Sequence, residues 1–300
     1  MKIKDILWLS ICLILLLFIY QTTSASKIFE LDLGLFAVSF LLYFLSIVFW
    51  ILAWVYLIKE GFVPSFRLNM KALLGIFAPF GLGGDAIRTY FARTEKIQPE
   101  RALSTSFIVK FYKFIVMFVF LLFAAYLLSI NSSDFPRYSL VLASMVIMTV
   151  CGASIVLLFR VRWFAALLYK LLNRIFIFKF HEQLKKHFLE IKPKDVLVVM
   201  ILLVISTLLE MGAVLFAFLS IGQELLLPHV FIFSSVASSL ALVTLTPQGI
   251  GFVEGGGYLL LSSGYFSLVQ SVIGSFLIAW SIIRIWIPSL IGLFSFWWKK

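Results

Sequence analysis

Charged residues are scarce in this 300-residue chain. They make up 13% of it, while 62% of the residues are hydrophobic. A soluble domain carries about a quarter charged residues, so this balance excludes a water-soluble globule with a conventional core. Cysteine is almost absent. Cys12 and Cys151 both fall inside apolar runs, and neither a disulfide framework nor a cysteine metal site is expected. His181, His187 and His229 have no acid or cysteine at ligand spacing, so no metal site is expected from them. No Gly-Lys-Ser/Thr follows any glycine, which argues against a nucleotide loop, and no cofactor is expected. Acids are also few: 14 Asp and Glu against 25 Lys and Arg, a net charge of +11. In a soluble domain that excess suggests nucleic acid. In an apolar chain it is better explained by basic cytoplasmic loops, and no nucleic-acid partner is expected.

What the chain has in quantity is apolar sequence. Several runs exceed the roughly 18 residues that mark a membrane span. Spans are predicted at 6–20, Leu33–Ile58, 102–130, 138–159, 196–221 and 266–298, with Pro288 a kink in the last. The first has a basic start and imitates a signal peptide, but it reads as an uncleaved span. Trp50, Trp54 and Tyr56 suit an interfacial belt. With the N-terminus inside, only Lys27 and Arg137 of the 25 Lys and Arg fall in outer loops. That asymmetry predicts a multi-pass plasma-membrane protein with both termini cytoplasmic. The stretch 160–194 is basic, with apolar residues interleaved. It reads either as an amphipathic helix on an anionic leaflet or as an ordinary cytoplasmic loop.

Two related stretches, 78–88 and 246–256, interrupt the apolar runs. The first reads Pro79-x-Gly81-x-Gly83-Gly84-Asp85-x-x-Arg88. The second reads Thr246-Pro247-x-Gly249-x-Gly251-x-x-Glu254. Proline and clustered glycine do not continue a regular helix. Broken backbone at membrane depth is tolerated only where protein or a wet cavity covers it. Paired breaks in two halves point to a transporter's binding site. The expected architecture is therefore an all-α membrane domain over 1–300, with halves 1–137 and 138–300. About six spans and two re-entrant hairpins would form an inverted repeat. A packing kink is the plainer reading of either motif alone. Gly255, Gly256 and Gly257 suggest close packing or a hinge. Glu210, Lys110, Lys113 and Arg284 lie at membrane depth, where a charge is costly unless paired or wet. Each is a candidate for function. The alternative is a structural ion pair, such as Glu254 or Glu210 with Arg284.

At these motif residues and Arg284 the sequence resembles the flippase-like membrane family named after lysylphosphatidylglycerol synthase. The similarity spans roughly the whole chain. One departure is that the family usually has an arginine in the helix after the first motif, where this chain offers Lys110 and Lys113. Full-length synthases also carry a soluble aminoacyl-transferase domain, for which these 300 residues leave no room. The resemblance therefore implies the translocating half. Such a protein moves an anionic phospholipid or a polyprenyl-phosphate-linked lipid between leaflets. Arg88, Lys110, Lys113 and Arg284 are expected to contact phosphate. Asp85 and Glu254 would hold those bases or carry protons, and Glu210 is a further candidate for the substrate site. Alternatives are an integral-membrane transferase on lipid-linked sugars, or an accessory subunit of a cell-envelope glycosyltransferase. The partners expected are membrane lipids, with a homo-oligomer or a glycosyltransferase also open.

Overall fold

The computed structural model describes residues 28, 30–74, 83–131, 190–243, 252–262, 266 and 268–295. The expected spans 6–20 and 138–159 lie outside them, as does most of the basic stretch 160–194. So do Pro79, Gly81, Pro247, Gly249 and Gly251. Among the described residues every regular element is helical. In chain order these are α1 (Leu33–Ile58), α2 (Phe62–Ala72), α3 (Gly83–Ala92), α4 (Pro99–Asn131), α5 (Pro193–Ser220), α6 (Leu227–Val243), α7 (Phe252–Ser262), α8 (Gln270–Ser281) and α9 (Ile287–Ser295). A 3-10 turn (Arg93–Glu95) follows α3, and a π-helical turn (Ile282–Trp286) joins α8 to α9.

Among the described residues, four helices are long and apolar enough to cross a membrane: Leu33–Ile58, Pro99–Leu127, Pro193–Ser220 and the composite Gln270–Ser295. Local chemistry sets their ends. The Asp32 carboxylate accepts from the backbone N–H of Gly34 at 2.8 Å and Leu35 at 3.0 Å, capping α1. Lys59 ends it in the left-handed conformation, with φ 56°. Pro99 and Pro193 open α4 and α5, where a missing N–H costs nothing. Leu41, Val119, Leu122, Leu197 and Ile201 stay outward and exposed, as lipid-facing side chains do.

Helix α2 begins at Phe62, with Pro64 in its first turn, where proline is tolerated. Its buried side includes Ser65, Leu68, Asn69 and Ala72. A π-helical turn that carries Arg284 lies one turn before Pro288, where a kink is expected. The belt reading of Trp54 needs correcting. It is fully buried, and its indole N–H donates to Ser106 Oγ at 2.9 Å.

Helices α1 and α5 run antiparallel along most of their length. Small polar residues allow the approach. Ser39 Oγ donates to the Ala213 carbonyl at 2.6 Å, and Ser206 Oγ donates to that of Ser46 at 2.9 Å. Lys59 and Asp195 close one end at 2.6 Å. Two apolar clusters flank this pair. One gathers Ile51, Trp54, Leu57, Ile108, Val199 and Leu203. The other is built on Phe218, Phe233, Phe276 and Trp280. Residues of α4 and α5 belong to both clusters, so these two helices join them.

Candidate functional site

Between the clusters lies a cavity of about 160 Å³. Its wall includes Asp85, Arg88, Lys110, Lys113, Glu210 and Arg284. These are six of the ionisable residues that the sequence singles out, and they come from both halves. The seventh, Glu254, does not line the wall but holds Arg284.

The first half-site is built on α3. Asp85 stands in the first turn of that helix and is 1% exposed. It accepts from Arg88 Nη1 at 2.8 Å, one turn on, and from Lys110 Nζ of α4. Arg88 also donates through Nε to Asn69 Oδ1 of α2 at 2.7 Å. Its guanidinium lies over the rings of Trp50 and Trp54, at 4.6 and 5.8 Å. The approach of α3 to α2 favours glycine, since a Cβ at Gly84 would come within a tight 3.2 Å of the Ala72 carbonyl oxygen. Outside the wall, Glu95 ties the 3-10 turn after α3 to α2 through Lys71 at 2.8 Å and Arg67 at 3.8 Å.

The second half-site repeats the scheme with different parts. Glu254 sits in the first turn of α7, as Asp85 does in α3. It accepts from Arg284 Nη2 at 2.6 Å and from Ser281 Oγ at 2.8 Å. Glu210 of α5 accepts from Lys113 Nζ at 2.7 Å and from the Ser238 hydroxyl of α6. Gly256 and Gly257 serve close packing, because added Cβ atoms would meet Leu240 at 2.8 Å and Leu277 at 3.0 Å. Gly255 has open space around it.

Both short helices thus place a carboxylate of the protein at their positive end. An anion here meets side-chain cations that are already held by acids. Each carboxylate is paired with a base, which offsets part of the cost of burying either charge alone. The wall offers fork-shaped donors from two arginines and point charges from two lysines. Among the described residues no group of three or more His, Cys, Asp or Glu is placed to hold a metal.

A family model described as the lysylphosphatidylglycerol synthase TM region matches residues 6–292. The chain belongs to this family. Comparisons with curated proteins and with solved structures gave no match. Membership in the lysylphosphatidylglycerol synthase membrane-region family, together with the four apolar helices, makes this a multi-pass membrane protein in contact with lipid.

Several wall residues escape a reading based on charge and glycine. Tyr43, Ser46 and Trp50 form a stripe on α1 at helical spacing. Trp280 precedes Arg284 by one turn and also lines the cavity. The α1 stripe is visible in the sequence as an i, i+3, i+7 pattern inside a run otherwise dominated by aliphatic residues and phenylalanine.

Proposed function

We propose that this protein moves an anionic lipid headgroup between leaflets. The headgroup enters the charged cavity while its acyl or polyprenyl tails stay in the bilayer. The observation that carries this reading is the meeting of Arg88, Lys110, Lys113 and Arg284, from both halves, in one cavity. Arg88 and Arg284 offer fork geometry suited to phosphate oxygens. Asp85, Glu210 and Glu254 hold the bases until an anion competes for them, and they are the groups able to carry a coupled proton. Two re-entrant hairpins of opposite sense, at 78–88 and 246–256, supply the alternating openings. The membrane is the plasma membrane, with both termini cytoplasmic. Movement is passive or driven by an ion gradient.

The test is leaflet exchange of a labelled anionic phospholipid in reconstituted vesicles. Arg88→Ala, Arg284→Ala and Glu254→Gln are each expected to abolish exchange while helix content is retained. Wild-type rates in all three variants would overturn the proposal.

A further inference from the structure

We infer that Trp280 is a specificity-determining residue of the cavity: its indole N–H donates to an uncharged hydroxyl oxygen carried by the headgroup beside its anionic group. This rests on the translocation reading for its occupant, a lipid headgroup, and adds a neutral contact to the charged ones.

Trp280 is 2% exposed and lines the cavity, and its indole N–H meets no acceptor among the described residues. Trp54 supplies the contrast. It is as deeply buried, yet its N–H is satisfied by Ser106 Oγ at 2.9 Å. An unpaired donor is costly at membrane depth. Packing alone does not call for one. The Trp280 ring lies parallel to Phe276, with centroids 6.3 Å apart, and edge-on to Tyr43 at 5.4 Å. Phenylalanine, which the chain uses 33 times, would fill an aromatic position there without a donor. The same two neighbours fix the indole plane, so the N–H is oriented before a ligand arrives.

The cavity decides what can meet this donor. Its volume of about 160 Å³ has room for on the order of ten waters. A water bonded to the indole N–H leaves when a headgroup enters. A group that cannot replace that bond strands the donor, and one that brings an oxygen restores it. Anionic oxygens find stronger, charge-assisted donors in Arg88 and Arg284 on the same wall. The neutral donor is left for an uncharged oxygen, and a hydroxyl is an acceptor that adds no charge to a site where charge is costly.

The experiment is lipid competition on the full-length protein, read by native mass spectrometry. The probes are phosphatidylglycerol and phosphatidylpropanol with the same acyl chains. Both are phosphodiester monoanions, and only the first carries hydroxyls beyond the phosphate. Wild type should favour phosphatidylglycerol about tenfold. Trp280→Phe keeps an aromatic ring and removes the donor, and the ratio should fall to about one. Wild type binding the two lipids alike overturns the inference, whether or not the variant folds. So does a folded Trp280→Phe that keeps the wild-type ratio. A tryptophan that only packs the core would give that second result, with a lowered melting temperature and the preference intact. Leaflet exchange of the same two lipids, run in parallel, tests the reading beneath. If binding follows the expected order but neither lipid is exchanged, the translocation reading alone fails. If both are exchanged with no preference in binding, translocation stands and the hydroxyl contact falls.

Discussion

The Arg284–Glu254 pair lends itself to a thermodynamic cycle. Its side chains are 5% and 4% exposed and meet at 2.6 Å, with Ser281 donating to the same carboxylate oxygen. Removing one partner strands a buried charge, a loss of about 3–5 kcal/mol. Because Arg284 also borders the cavity, water screens part of that loss, and the lower end of the range applies. Arg284→Met leaves Glu254 inside the packed base of α7 and should cost about 3 kcal/mol, a factor of more than about 100 in the unfolding equilibrium. Glu254→Gln keeps the volume and an acceptor for Ser281, and should cost about 2–3 kcal/mol. The double variant has no charge left to strand. It should lie within about 1 kcal/mol of wild type, giving a coupling term of several kcal/mol. The assay is reversible unfolding in mixed micelles, run beside leaflet exchange. The double variant is expected to be stable and inactive, which separates holding the fold from moving lipid. If the single substitutions prove additive, the two side chains do not act as one buried unit. A stable double variant that still exchanges lipid would show that the pair is structural and would remove it from the proposed machinery.

Two further predictions test the packing and the topology. Gly292→Ala would drive a Cβ to 2.7 Å from the Leu74 backbone nitrogen, so it should lose about 1–3 kcal/mol of stability, whereas Gly255→Ala meets nothing and should gain up to about 1 kcal/mol; unfolding in micelles measures both, and the same sign for the two would contradict this packing of α9 and α7. Single cysteines at Ser132 and Gln223 should react with an impermeant thiol reagent added outside, and one at Gln183 should not; outside labelling at Gln183 would invert the proposed orientation.

Several elements of this fold are written locally. The cap at Asp32 and the basic break at Lys59 bound an apolar run, so α1 lies where that run predicts it. Asp85 and Arg88 are three residues apart and follow the glycines directly, so their pairing needs only that a helix start there. The sequence leaves Arg284 two acids to pair with, and the choice of Glu254 depends on where α7 sits against α8. The partition of Lys110 and Lys113 is not legible. Three residues rotate about 300° around a helix, so the two lysines point about 60° apart. Which acid each meets depends on how α4 crosses α3 and α5. Helix propensity carries no information about that crossing. Trp54 departs from the belt reading for a related reason. An indole N–H near a span end finds either interfacial water or a buried hydroxyl, and Ser106 lies far along the chain. The π turn is hidden because a single extra residue per turn leaves hydropathy unchanged. Only the proline beyond it gives notice of an irregularity.

The two lysines of α4 stand about 4.5 Å apart along one hydrogen-bonded rod. Lys110 reaches Asp85 on α3, and Lys113 reaches Glu210 on α5. A helix of 33 residues does not stretch between neighbouring turns. Any axial slide or roll of α4 that lengthens one of these bonds therefore displaces the other in the same stroke. A rigid shift of α4 would act on both acids together, whereas a rotamer change of either lysine would release one acid alone. Asp85 and Glu210, far apart in the chain, are thus tied to neighbouring turns of one helix.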